Sequence, residues 1–140
     1  MVLLLASCGP NGGDSEDLHT RAITLPDGSE IRAEVLVKPA EIQRGMMYRE
    51  ALPHRRGLLF VHSQSGPYRY WMPHVKDPLD IVFLDPSRRI VEISADTPPC
   101  TTKEADCPTY GGHYQEQFVL ELRAGEAKLL GLSRGQVLQF

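Results

Sequence analysis

The chain predicts a mainly β fold: a single-domain β-sandwich or barrel-like arrangement with two short helices. Short apolar runs recur at close spacing with Pro, Gly and Asp-rich breaks between them, as in Gly66-Pro67 and Asp85-Pro86-Ser87-Arg88, which is the pattern of strands joined by turns. One of these runs, Ile31 to Val37, alternates apolar and polar residues with period two, the mark of a half-buried strand. Segments with helical composition are only two and brief, so strands outnumber helices.

Each element follows from local signals. Thr20 to Leu25 and Glu30 to Val37 read as two strands joined through Pro26-Asp27-Gly28-Ser29, with Ile31, Ala33, Val35 and Val37 as the inward set. Pro39 to Met47 opens with a proline suited to a first helical turn and carries helix formers as far as Gly45. Gly57 to Val61, Tyr68 to Met72, Leu79 to Leu84 and Arg89 to Ala95 are further strands. Asp96 to His113 reads as an irregular cysteine-bearing loop. Gln117 to Leu122 is then a strand, Gly125 to Leu130 a short helix stopped by Gly131, and Val137 to Phe140 a last strand.

Length and charge bound the function. At 140 residues, 41% hydrophobic and 24% charged, the chain has material for one core and is short for two. A net charge of -3 supplies no broad basic field, so nucleic acid is not an expected partner. No apolar run approaches the roughly 20 residues that span a bilayer.

Residues 1–8 end in Leu5-Ala6-Ser7-Cys8, which resembles a bacterial lipobox. Cleavage there would leave Cys8 as an acylated N-terminus, giving a membrane-anchored lipoprotein facing the periplasm or cell surface. The run is short and has no basic leader, which leaves open a true start upstream of Met1. Residues 9–18, rich in Gly, Ser and acids, read as a flexible tether, and residues 19–140 as the folded domain. Cys100 and Cys107 are then left to pair, and a disulfide closing so small a loop contributes about 2.5 kcal/mol in the chain-entropy model. The rival reading, a metal site of Cys100, Cys107 and His113, lacks the spacing of the usual close zinc pairs.

Tyr68 to Asp85 concentrates aromatic and acidic residues around the chain's one tryptophan, Trp71. An aromatic strand runs there into a polar loop and then into Leu79-Asp80-Ile81-Val82-Phe83-Leu84, an arrangement able to border a pocket. The motifs Gly45-Met46-Met47-Tyr48-Arg49, Gly57-Leu58-Leu59-Phe60-Val61, Trp71-Met72, Pro78-Leu79-Asp80-Ile81, Phe83-Leu84-Asp85 and Val119-Leu120-Glu121-Leu122, followed by Ala124-Gly125 and Leu130-Gly131-Leu132, occur in order. Together they resemble domain of unknown function 192, a family of small bacterial and archaeal proteins that are often secreted or lipid-anchored. The resemblance spans about residues 30 to 140. It implies a β-rich sandwich or barrel-like fold with short helices, and it implies no reaction. Relatives commonly carry a basic residue, Asn and Thr where this chain has Pro73, His74 and Val75, so no ligand contact is carried over there. Arg49, Trp71, Met72 and Asp80 match the pattern and are the candidates for a shared cleft.

For each candidate a functional and a structural role stand side by side. Arg49 offers a planar fork for a carboxylate or phosphate, with Asp80 as a separate acceptor, or the two form an internal ion pair. Trp71 is a stacking surface for a flat ligand or a core residue. Met46, Met47 and Met72 are soft ligands for Cu(I) or core packing. Candidate nucleophiles are Ser63, Ser65 and the cysteines, and candidate bases His54, His62, His74 and His113. None lies in a diagnostic motif, and no cofactor is expected. The leading expectation is a lipid-anchored binding or accessory domain for a small polar or anionic ligand. The alternatives are a cell-envelope hydrolase using Asp80 and His74, and a structural partner of another envelope protein.

Overall fold

The computed structural model describes residues 19–140. Cys8 and the proposed tether lie outside the described residues. Strands β1 (Thr20–Thr24) and β2 (Glu30–Leu36) form the expected antiparallel hairpin. Its turn is closed by the Gly28 N–H donating to the Leu25 carbonyl at 2.9 Å, with Gly28 at φ 83°, where a side chain would be strained. Helix α1 (Pro39–Arg44) begins at the proline, and the N–H of Gly45 closes its end on the Glu41 carbonyl. This helix lies in the crossover that makes β3 (Arg56–Gly66) parallel to β2.

Six strands form the main sheet in the order β1-β2-β3-β8-β5-β6, where β5 is Leu79–Leu84, β6 Ile90–Thr97 and β8 Glu116–Arg123. Every residue of β5 is buried, because both sheet faces are covered. One face carries Ile23, Ile31, Ala33, Leu59, Val82, Leu120 and Leu122 beneath Ala127, Leu132 and Leu138 of the C-terminal segment. The other carries Leu36, Leu58, Phe60, Ile81, Phe83 and Val119 beneath Met46, Tyr70, Met72 and Val75.

Two cores explain one departure from the expected alternation. Leu36 is buried on the second face, while Val37, expected to point inward, is 56% exposed beyond the strand end. A period-two pattern assigns residues to faces, and with a core on each side polarity no longer marks which face is the inner one.

The second layer is a two-stranded ribbon, β4 (Arg69–Trp71) with β7 (Thr109–Gly111), in which Tyr70 pairs with Tyr110. The β7 strand and a single 3₁₀ turn, Glu104–Asp106, fall inside the segment read as irregular. Three residues beside Pro108 and Gly112 carry too little pattern to announce a strand. The ribbon packs closely on the sheet: a Cβ at Gly111, whose φ is 80°, would come within 2.3 Å of the Phe83 ring. Tyr70 meets Phe60 and Phe83 edge-on, with centroids 5.2 and 5.8 Å apart, a geometry that contributes about 0.5–1.5 kcal/mol per pair beyond burial. Cys100 and Cys107 form a disulfide in the loop leading to β7.

The expected strand Val137 to Phe140 is instead a pair of isolated bridges, Gln139 to Thr24 and Val137 to Arg89. This segment bonds alternately to the end of β1 and to the turn before β6, so no ladder with either can grow. Helix α2 spans Glu126–Leu129 and ends as anticipated before Gly131, at φ 68°.

Candidate functional site

The candidates Arg49 and Asp80 do not form a pair. Opposite Ile81 in the β5–β8 register stands Glu121, and opposite Asp80 stands Leu122, so Asp80 faces the C-terminal side with Leu122. There its Oδ2 accepts the Ala127 N–H of α2 and its Oδ1 the Asp96 N–H, both at 2.8 Å. Asp80 is 1% exposed and ties α2 and the end of β6 to β5. Arg49 serves the other face, where Nη1 and Nη2 donate to the Glu34 carboxylate at 3.3 and 2.5 Å. The expected cleft between Arg49, Trp71 and Asp80 is therefore corrected, because the sheet separates Asp80 from the Arg49–Glu34 pair.

A different acid occupies the Arg49 side. Glu34, Leu58, Glu121 and Ile81 form one row across β2, β3, β8 and β5. Glu121 is 4% exposed, and its Oε2 is the one buried side-chain polar atom among the described residues without a hydrogen-bond partner. Burial pushes the Glu121 carboxyl up to about 8, against the opposing pull of the Arg49 charge, so the group is mostly protonated at neutral pH. Other buried acids are satisfied. Glu126 accepts the Arg55 N–H at 2.8 Å and pairs with Arg123 and His54, each at 2.7 Å. Burial alone would raise the Glu126 carboxyl, but these partners hold it below its ordinary value.

Glu121 lines a cavity of about 140 Å³ together with Gly45, Met46, Met47, Phe60, His62, Tyr70 and Trp71. Arg44 and Arg69, both exposed, also border it. The His62 Nε2 lies 2.8 Å from the Tyr70 hydroxyl, and the imidazole stacks on the Tyr68 ring at 3.5 Å. Burial lowers the His62 pKa, which favours the neutral ring. The Tyr70 hydroxyl is raised far above its ordinary value by burial first, and then by Glu121, Tyr68 and Glu116. The chamber is thus aromatic and thioether-walled, neutral at its phenol and imidazole, with a carboxyl at its base and guanidinium groups at its edge.

The family model DUF192, described as Uncharacterized ACR, matches residues 22–140. The chain belongs to the DUF192 family. Gly45, Met46, Met47, Phe60, Trp71 and Glu121, which line the cavity, all fall within the motifs that carry the DUF192 resemblance. Two crystal structures are similar. One is a candidate transcription regulator from Sinorhizobium meliloti, 28% identical, with a TM-score of 0.74 over 84% of this chain and 89% of that one. The other is a protein of unknown function from Novosphingobium aromaticivorans, 26% identical, with a TM-score of 0.75 over 86% and 85%. No curated protein matches the chain.

The remaining candidates disperse over this DUF192 domain. Trp71 borders the cavity half-buried, while Met72 is 1% exposed in the adjoining core. Met72 is not among the residues lining the cavity with Met46 and Met47, so the three thioethers do not converge there. His74, at φ 57°, stacks on Tyr48 and reaches Glu104 at 3.4 Å. With both Asp80 oxygens accepting backbone N–H groups, the expected His74–Asp80 acid–base pair is not assembled. His113 is held by Glu92 at 2.9 Å, and the disulfide consumes the cysteines of the alternative metal site. Ser63 and Ser65 are exposed on the outer half of β3. Among the described residues no group of three or more His, Cys, Asp or Glu side chains could hold a metal ion, and no helix is long and apolar enough to cross a membrane. Sequence reasoning passed over Glu121, although a lone acid within Phe118-Val119-Leu120-Glu121-Leu122 was a signal: charge inside a buried strand demands a partner.

Proposed function

We propose that this DUF192 protein is a small-ligand binding domain, tethered outside the cytoplasm through an acylated Cys8. The binding surface is the cavity over Glu121, rather than a cleft at Asp80. One observation carries the reading: a buried carboxyl oxygen without a partner, at a cavity that its own fold leaves open. An unmet buried hydrogen-bonding group costs about 1–3 kcal/mol, and a ligand that satisfies it recovers that cost on binding. The volume suits a small molecule, since a cavity of about 150 Å³ accepts benzene. The Cys100–Cys107 disulfide supports an oxidising location, and the lipobox-like Leu5-Ala6-Ser7-Cys8 supports the anchor. A net charge of -3 does not favour nucleic acid as the partner.

The test is native mass spectrometry of the full chain released gently from the host envelope. A retained small mass that is lost in Glu121→Leu is the expected result. A bare protein, unshifted in melting temperature by cationic, anionic, zwitterionic and neutral small molecules, would overturn the binding reading. Localisation is tested separately: Cys8→Ser should move the protein out of the membrane fraction, and wild type already soluble in the cytoplasm would refute the anchor.

A further inference from the structure

We infer that the cavity takes a small zwitterion, with its ammonium end against Glu121 and the aromatic walls and its carboxylate toward Arg44 and Arg69. The inference rests on the binding reading above and specifies the ligand's charge pattern.

Charge balance around Glu121 calls for a proton or a cation. Arg49 is the basic side chain whose charge acts on Glu121, and both its terminal nitrogens already serve Glu34. That pair is neutral in sum, so an ionised Glu121 would leave one uncompensated negative charge in a buried place. The fold can remove that charge by holding a proton or by admitting a cation. The other titratable groups near the cavity are His62 and Tyr70, already bonded to each other, with Tyr68 stacked behind the imidazole. None of them supplies a positive charge to Oε2, which has no partner.

The walls argue for an organic cation. Phe60, Tyr70 and Trp71 line the cavity beside Met46, and aromatic rings attract ammonium groups through their quadrupole. A weakly hydrated alkylated ammonium is easier to desolvate here than a metal ion. The rim then decides against a simple cation. Arg44 and Arg69 border the opening, and among the described residues neither guanidinium has an acidic partner. Two unpaired cations repel a bare ammonium and attract a carboxylate. One small molecule with both charges meets the two ends of the site.

Binding is then an exchange. The protonated Glu121 gives up its proton to solvent as the ammonium arrives: a quaternary ammonium has no N–H, so its charge and polarised methyl groups, rather than a hydrogen bond, balance the carboxylate, and one proton is released per ligand. The test is calorimetry on the full chain with glycine betaine, in two buffers of different ionisation enthalpy, at about pH 7 and about pH 9. Expected are release of close to one proton at the lower pH and an affinity that rises about tenfold per pH unit until Glu121 is ionised, then levels. Tetramethylammonium should bind more weakly, and Arg69→Gln should weaken betaine without weakening tetramethylammonium. Glu121→Gln, checked for folding by circular dichroism, should abolish the pH dependence.

The isostere 3,3-dimethylbutyrate has the same shape and carboxylate but no positive charge. If it binds as tightly as betaine, or if betaine affinity is flat or falls with pH, the zwitterion inference is wrong while the cavity remains a binding site. If neither binds but the native protein retains another small molecule, the inference again fails alone. A protein bare in both experiments overturns inference and binding reading together.

Discussion

Glu121 and Asp80 sit on neighbouring strands with their carboxyl groups on opposite faces of one sheet, and they meet opposite fates. Asp80 accepts two backbone N–H groups at 2.8 Å. The Glu121 Oε2 accepts none. A one-residue offset in the β5–β8 register separates an acid held by two backbone N–H groups from one whose Oε2 has no partner, because successive residues of a strand point to opposite faces.

Asp80 should therefore matter to stability and leave ligand affinity untouched. Asp80→Ala abandons the buried Ala127 N–H and the Asp96 N–H, and the expected loss is about 2–4 kcal/mol by urea unfolding. Asp80→Asn keeps one acceptor oxygen and should lose less. A full-strength fold in Asp80→Ala would contradict the anchoring role.

Glu121 should make stability fall with rising pH. Its folded carboxyl lies near 8 against an ordinary 4.5, so across that window the folded state holds a proton that the unfolded chain has released. The contribution is complete below 4.5 and is lost as pH rises through 8. Unfolding of wild type and Glu121→Gln between those limits should diverge by on the order of a few kcal/mol, with the variant losing less. Parallel curves would show that the carboxyl is not raised.

Arg49 gives a second handle on the same group. Its pair with Glu34 is 37% exposed on each side, so Arg49→Met should cost no more than about 1 kcal/mol. The Arg49 charge also lowers the Glu121 carboxyl, and its removal should move the Glu121 midpoint upward in a ¹³C carboxyl titration. A midpoint that stays or falls would mean that the two groups do not interact.

Much of the fold was legible because its strands are bounded by strong turn chemistry. Leu79–Leu84 is legible to the residue, since Pro78 and Asp85-Pro86 bracket a run that is apolar except for Asp80. The β1–β2 hairpin was announced by Asp27-Gly28. The β7 strand was hidden because it depends on pairing with β4, a tertiary contact that three residues cannot encode alone. The site was legible only in part. Trp71, a candidate from the sequence, borders the cavity, whereas Asp80, a candidate because it matches the family pattern, is bonded to Ala127 and Asp96 on the other side of the sheet. Which of two buried acids faces the cavity is a matter of cross-strand register, and that is set by residues about forty positions apart.

The ribbon over the second core should depend on the disulfide. Cys100 and Cys107, seven apart in sequence, close the loop that delivers β7 to β4, and the Cys100 N–H is tied to the Met72 carbonyl at 2.9 Å. Cys100 also packs against the core that holds Phe60, Tyr70 and Met72. Removing the link with Cys100→Ser and Cys107→Ser together should destabilise the protein by about 2.5 kcal/mol. The loss should be local in its dynamics, because the six-stranded sheet keeps its own ladders while β4 and β7 rely on three paired residues. Hydrogen exchange should speed up at Tyr70 and Tyr110 well before Leu59 or Leu120. Since Tyr70 and Trp71 wall the cavity, ligand affinity should weaken in the same variant. Uniform acceleration across the sheet, with affinity unchanged, would mean that the disulfide stabilises the domain as a whole and has no special hold on the ribbon.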